Sequence, residues 1–351
     1  MDKFVCVRLV QANALDLTLF QFDYDLTFAA FFMNADRTIY GRFGSRSERK
    51  DATKDISMAG FRKALAGALD LHKHYPANKN LLAGKQPRPV RFKTPEGFPS
   101  LAGKYQPTLD YEGKVVQSCM HCHQVRDAER RFFRDEKKPI PDDVLYPNPM
   151  PDVVGLALDP KEKAKVAAVA AGSWAEKAGF KAGDEILTLE DQPLLSIADV
   201  QWALHGAGDP AALTAQVQRG RRKIKLTLDL PNDWRRHSDF AWRTTTWDLR
   251  RMAAGGMVLQ DATPEERRAA RLPDDTLGLR VNHVGEYGDH AVAKRAGFKK
   301  DDILVSVDGQ TGHLSESDLF RHLLQRRLAG DKIPVTVLRG GERMNFELLM
   351  Q

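Results

Sequence analysis

Ala178-Gly179-Phe180-Lys181-Ala182-Gly183-Asp184-Glu185-Ile186-Leu187-Thr188-Leu189-Glu190-Asp191-Gln192 recurs 118 residues further on as Ala296-Gly297-Phe298-Lys299-Lys300-Asp301-Asp302-Ile303-Leu304-Val305-Ser306-Val307-Asp308-Gly309-Gln310. Self-similarity of this length means one small folding unit used twice. Outward from it, each copy is preceded by an apolar strand, Val166–Val169 or Leu279–Val284, and by a short Ala-rich helix. Each is followed by an amphipathic helix around Asp199-Val200 or Asp318-Leu319, then by a hairpin turning at Arg219-Gly220 or Arg339-Gly340. The copies occupy 151–231 and 253–351, and an aromatic, basic stretch at 232–252 joins them. Mixed strands and helices in this order predict an α+β multidomain chain.

The bulk composition narrows the function classes. The 351 residues carry 53 Lys and Arg against 47 Asp and Glu, a net charge of +6. These charges interleave and form no long basic block, so nucleic acid is not an expected partner. No run approaches the roughly 18 apolar residues of a membrane span, so no transmembrane segment is expected. Ser-His-Asp, P-loop and dinucleotide glycine patterns are missing from the sequence. In the 232–252 joint, Trp234, Trp242 and Trp247 alternate with arginines. That interleaving can stack on bases, but a clasp between the copies is the simpler reading.

Two of the three cysteines lie in Cys119-Met120-His121-Cys122-His123, a C-x-x-C-H sequence within the segment 113–150. The spacing is that of haem c attachment: two thiols bond the porphyrin and the adjacent His123 ligates iron. Met150 is the candidate sixth ligand, with Met120, His121, His72 and His74 as rivals. A metal ion held by Cys119, Cys122 and His123 is the alternative, as is a redox dithiol or no cofactor at all. No second C-x-x-C closes a zinc shell. Haem attachment follows export, which predicts a periplasmic or otherwise extracytoplasmic protein. Met1-Asp2-Lys3-Phe4-Val5-Cys6 carries no export signal, so the expectation is that the natural start lies upstream.

The first 75 residues read as a strand at 4–10, a second at 27–33, a turn through Asn34-Ala35-Asp36-Arg37 and a returning strand at 38–44. Ser57 caps a helix from Met58 to about His74, with Phe61, Leu65, Leu69 and His72 on one face. This order resembles the C-terminal half of a thioredoxin fold, without the first strand and helix that carry the redox pair. The following residues, 76–112, are rich in Pro and Gly and read as a linker or extended wrap.

The repeated unit resembles a PDZ domain of the bacterial, protease-associated kind, a β-barrel-like sandwich with helices. Gly172, Ser173, Ala175, Ala178, Gly179, Gly183 and Asp184 meet the family's pattern, and the second copy keeps Ala296, Gly297 and Asp302. The resemblance implies binding of extended peptides or protein C-termini beside a sheet edge, with the carboxylate on the amides of a glycine loop. The matching positions are Val154-Gly155-Leu156, with a side-chain pocket near Val200, and Gly255-Gly256-Met257 in the second copy. An insertion at 263–275 would cover the second groove. The whole order is similar to bacterial thioredoxin-like/PDZ proteins, some of them selenoproteins. It implies an extracytoplasmic protein that couples a haem c or thiol centre, beside a short cytochrome-c-like segment, to peptide binding. The alternative is a non-enzymatic PDZ scaffold whose C-x-x-C-H is structural or metal-binding.

Overall fold

The structure is a computed structural model that describes residues 3–50 and 52–351. The chain divides into two units, one of Met1–Val125 with Tyr146–Ser238 and one of Arg126–Leu145 with Asp239–Gln351.

The first unit begins with a hairpin, β1 (Ala30–Met33) against β2 (Ile39–Phe43), with Ala30 opposite Phe43. Its turn is built by side chains: Asn34 Oδ1 and Asp36 Oδ1 both accept from the Thr38 amide, at 2.9 Å each. Helix α1 (Met58–Lys73) starts where expected, with Ser57 Oγ accepting from the Gly60 amide at 3.0 Å. Its inward face is rotated toward the small residues Gly60, Ala64, Gly67 and Ala68, with Phe61 and Leu65 partly buried beside them and His72 exposed. Small side chains let the helix approach closely. A Cβ on Gly60 would lie 2.2 Å from the Pro160 carbonyl oxygen, and one on Gly67 would lie 2.7 Å from Leu195.

One expectation for this region is corrected and two are narrowed. Phe4–Val10 forms no strand; among the described residues β1 and β2 pair only with each other, so the run has no ladder to join there, and Val5, Val7 and Val10 are exposed. The packing of this part draws on more than the hairpin and helix that suggested half a thioredoxin fold. Phe32, Tyr40, Phe43, Ala64 and Ala68 pack in one cluster with Leu82 and with Leu195 of the first repeat. Of the two readings of residues 76–112, a linker or an extended wrap, the structure has the wrap, with tight helical turns at Lys79–Lys85 and Pro95–Gly97, and it buries Leu82 and Lys85 completely.

Helices α2 (Val115–Ser118), α3 (Cys122–Asp135) and α4 (Asp142–Leu145) follow. The first repeat then gives β3 (Leu156–Leu158), β4 (Val166–Val169), α5 (Trp174–Lys177), β5 (Glu185–Leu189), β6 (Gln192–Pro193), α6 (Ile197–Gly206), β7 (Ala211–Arg219) and β8 (Arg222–Leu230). Strands β3 and β4 form a pair of their own, and the others form a sheet in the order β6-β5-β7-β8. The strands alternate apolar and polar residues, so one face turns inward. Leu156, Val166, Ile186, Val200, Leu213, Val217, Leu228 and Trp234 meet there in one core.

The second repeat comprises α7 (Thr246–Ala254), β9 (Met257–Asp261), α8 (Pro264–Ala269), β10 (Leu279–Val284), α9 (Val292–Ala296), β11 (Ile303–Val307), α10 (Glu316–Arg326), β12 (Lys332–Arg339) and β13 (Glu342–Leu349). Its sheet is continuous, in the order β13-β12-β11-β10-β9. The insertion is a short helix, α8, opened by a Thr263 capping box with Glu266.

The repeated sequence has a physical reason. Asp184 is fully buried and takes a bidentate pair from Arg219, Nε at 2.7 Å and Nη2 at 2.8 Å, while the same Nη2 donates to the Gly179 carbonyl. Asp302, Arg339 and Gly297 repeat this latch with 2.6 Å and 2.7 Å contacts. Burial alone would raise the Asp184 pKa, but the Arg219 hydrogen bonds outweigh it and hold the carboxyl below its ordinary value. A depressed carboxyl pKa stabilises the fold above the unfolded value of roughly 4, and that stability is lost as pH falls through the folded value. Asp184→Asn should therefore cost about 1.5–3 kcal/mol at pH 7. It should also flatten the acid limb of the first unit's melting curve, read by thermal denaturation between pH 7 and 2. An unchanged acid limb would remove the latch from the account.

Candidate functional site

In the first repeat a helical turn, Pro151–Val154, runs into Gly155, whose φ of 93° turns the chain into β3. Glycine is required twice over here, by the positive φ and by Ser173, whose Cβ would lie 2.2 Å from an added Cβ. The Gly155 amide donates to the Asp152 carbonyl at 2.9 Å, and the Gly155 carbonyl accepts from Ala170 at 2.9 Å. Beyond the glycine, among the described residues β3 pairs with β4 alone, which leaves its other edge without a strand. Val154, Leu156 and Val200 share the core and are at most 3% exposed. The residues proposed for the groove are thus brought together, around a narrow apolar centre.

The second repeat differs at the matching place. Gly255 and Gly256 both have positive φ, 58° and 89°, and follow directly from α7. The Gly256 amide donates to the Arg250 carbonyl at 2.9 Å, and Met257 is fully buried. On the edge strand, the Leu259 amide donates to Glu316 Oε1 at 2.8 Å. Arg250 holds the same carboxylate from the other side, Nε on Oε1 at 3.0 Å and Nη2 on Oε2 at 2.6 Å. The main-chain donor that would pair with a peptide is thereby occupied by the first residue of α10.

Sequence reading did not single out Glu316, Arg250 or their counterpart. The signal was there: Ser196 caps α6 and Ser315 caps α10, so Ile197 and Glu316 occupy the same helical position. The first repeat has an apolar side chain where the second carries the bridging carboxylate.

The C-x-x-C-H sequence is pinned from outside. Asn13 Oδ1 accepts from the Met120 amide at 2.8 Å, Asn13 Nδ2 donates to the Ser118 carbonyl at 2.9 Å, and the Ala12 amide donates to the Met120 carbonyl at 2.8 Å. Met120 is fully buried, while Cys119 and Cys122 are free and half-buried. Cys122 opens α3 with its thiol 3.7 Å from the Leu26 carbonyl, and burial pushes its pKa up. That works against a thiolate nucleophile. Burial pulls the His123 pKa down, helped by His121, whose ring stacks on it at 5.5 Å between centroids. Neutral imidazole is the ligand form. Among the described residues, Cys119, Cys122 and His123 join no group of three ligand atoms within 4.8 Å. Met150 packs against the first repeat's core, His72 Nδ1 meets Tyr40 Oη at 2.8 Å, and His74 Nδ1 meets the Asp70 carbonyl at 2.8 Å. Met150, His72 and His74 are thus engaged away from the C-x-x-C-H sequence.

The tryptophans of the joint are described unit by unit. Trp234 is buried in the first repeat's core with Nε1 on the Gly208 carbonyl, and Trp247 stacks on His290 at 5.5 Å in the second unit. No helix of the described residues is long and apolar enough to cross a membrane.

Residues 165–219 match the family model of the PDZ domain. No curated protein matches the chain. Among solved structures it is similar to an HtrA-type protease, AlgWS227A, with a decapeptide, at 19% identity over 40% of each chain with a TM-score of 0.25. It is also similar to the HtrA-type protease AlgW with a decapeptide, at 18% identity over 41% of this chain and 49% of that one, TM-score 0.25. A third is AlgW with a tripeptide, at 20% identity over 40% and 50%, TM-score 0.24. The chain spans between 40% and 50% of the length of these structures.

Proposed function

We propose that the chain is a peptide-binding PDZ protein in which the first repeat takes the free end of an extended peptide and the second is a closed, structural copy. The observation that carries this reading is the contrast at one helical position. Ile197 carries no carboxylate at the position of Glu316, and among the described residues no further strand pairs with β3, whereas Glu316 occupies the edge of β9. A peptide added beside β3 gains main-chain hydrogen bonds, and its last side chain meets the apolar centre of Val154, Leu156 and Val200. That centre is nearly closed, so small apolar ends such as Ala or Val are expected, with modest affinity. In fluorescence anisotropy, a labelled peptide ending in Val should bind several-fold more tightly with a free carboxylate than with an amide. Ile197→Glu should abolish binding by placing a carboxylate where Glu316 stands, with circular dichroism confirming the fold. Equal binding of free and amidated peptides, or no binding from a random C-terminal library, would sink the proposal.

A haem c reading stands beside it, favoured by the placement of Cys122 and His123 at the start of α3 next to the half-buried Cys119. Cys119 and Cys122 would hold the group through thioethers and His123 would ligate its iron, which when bound supplies one-electron chemistry. The chain's own contribution is to fix the motif through Asn13 and to keep His123 neutral. The same reading places the protein outside the cytoplasm, and it makes the chain a redox-associated peptide binder. Exported together with a cytochrome c maturation system, the protein should show a Soret band that survives acid–acetone extraction. Cys119→Ala with Cys122→Ala should lose it. A colourless wild type would leave the C-x-x-C-H sequence structural.

A further inference from the structure

The last hairpin of the first repeat reads Arg219-Gly220-Arg221-Arg222-Lys223-Ile224-Lys225, and its counterpart in the second reads Arg339-Gly340-Gly341-Glu342-Arg343-Met344-Asn345. The strands they open, β8 and β13, share one burial pattern: two exposed residues, then alternation down to a buried Leu228 or Leu348. The fold therefore makes the same demand on both. Yet Arg221, Arg222 and Lys225 stand where the second copy has Gly341, Glu342 and Asn345. The stability of the repeat does not account for this charge.

Nor do its neighbours neutralise it. On β13, Glu347 meets Lys332 Nζ of β12 at 3.4 Å. On β8, Lys223 and Lys225 stand opposite Gln218 and Gln216, which carry no charge. Arg219 is engaged by Asp184. Among the described residues Arg221, Arg222, Lys223 and Lys225, all exposed, form no ion pair. The next acid along β8 is Asp229.

The edge beside these cations is open. The sheet order ends at β8, and among the described residues no hydrogen bond outside the β7–β8 ladder reaches Arg222–Leu230. Gly220, with φ of 58°, and Arg221 make a two-residue turn that closes on Arg219 opposite Arg222. Such a turn closes on a hydrogen-bonded pair, and bonded and outward residues then alternate. Lys223, Lys225 and Thr227 thus turn their main-chain N–H and C=O groups to the open edge, with both ammonium groups on the solvent face.

We propose that the β8 edge binds an extended acidic peptide as an added strand, with a carboxylate at every second residue facing Lys223 and Lys225. Main-chain pairing supplies the geometry of such a complex, and opposite charges across neighbouring strands supply its selectivity. A nucleic acid or a membrane would use the charge and leave the main-chain groups idle. Residues 211–230 also hold no aromatic ring to stack on a base and no large exposed apolar side chain to enter a bilayer. The groove reading does not assign this edge, because that groove lies beside β3 and β8 belongs to the other sheet.

The test uses the full chain and a fluorescent heptapeptide alternating Glu with Thr, acetylated and amidated so that it offers no terminal carboxylate. Its anisotropy should rise saturably at low salt, and its affinity should fall several-fold between about 50 and about 300 mM sodium chloride. Arg222→Glu with Lys225→Asn imports the residues that β13 carries, so circular dichroism should be unchanged while affinity drops about tenfold or more. Ile197→Glu, which closes the groove beside β3, should bind this peptide like the wild type. Strand addition has its own readout: the amides of Lys225 and Thr227 should exchange more slowly in the complex. A peptide of equal charge, N-methylated throughout, should bind several-fold more weakly. A wild type that does not bind overturns the proposal and leaves the cations as guards against edge pairing between copies. So does equal binding by the double variant or the methylated peptide, loss of binding in Ile197→Glu, or an oligothymidylate of equal charge that binds as tightly.

Discussion

Lys85→Met, made alone, destabilises the first unit by about 3–5 kcal/mol, a Tm loss on the order of 10 °C. The pair it breaks is wholly inside, with Lys85 0% and Asp199 1% exposed and 2.8 Å between Nζ and Oδ2. Burial pulls the Lys85 pKa down, and the Asp199 carboxylate opposes that shift. Removing it strands a carboxylate that also receives the amides of Arg42 and Leu195. Most of the loss comes from that stranded charge, so Lys85→Met with Asp199→Leu should recover a large part of it. A double-mutant cycle by urea denaturation measures the coupling. Additive losses would mean that the two groups act separately and the buried pair is not a pair.

The second large effect belongs to Glu316. Glu316→Ala removes the acceptor of the Leu259 amide and leaves the Arg250 guanidinium, 14% exposed, without its carboxylate. A loss of about 3 kcal/mol in the second unit is expected. Glu316→Gln keeps an acceptor for Leu259 and should lose roughly half as much. The informative readout is hydrogen exchange: the Leu259 amide should exchange much faster in the Ala variant than in the Gln variant. Equal rates in the two variants would show that the bridge does not protect the edge strand.

Much of the fold was legible because it is local. The doubled Ala-Gly-Phe…Asp stretch marks the repeat, Ser57 marks the start of α1, and the Asn34–Arg37 turn marks the hairpin, each through contacts a few residues long. What joins these pieces was not legible. Nothing in the sequence around Lys85 says that its ammonium lies against Asp199, because that pairing is made only when distant segments pack. The Pro-rich stretch stays open in the sequence between a linker and an extended wrap for the same reason: proline reports backbone preference and says nothing about what the wrap buries. Phe4–Val10 failed in the opposite direction, since an apolar run has strand propensity whether or not a partner strand is present. At the groove, the glycines were found through their backbone demands. The difference between Ile197 and Glu316 was missed, although aligning the two serine caps would have exposed it.

The bonds from Asp199 and Ser196 to the backbone of Arg42 have a consequence for how the chain is made. On a ribosome the hairpin emerges long before α6 exists, and its Leu195 and Asp199 partners arrive only after more than a hundred further residues have been polymerised. At about 5–20 residues per second that interval lasts several seconds or longer. During it, the cluster of Phe32, Tyr40 and Phe43 with α1 and Leu82 lacks Leu195, and Lys85 lacks the Asp199 carboxylate. The N-terminal cluster and the buried Lys85 charge are thus completed only by residues made much later in the chain.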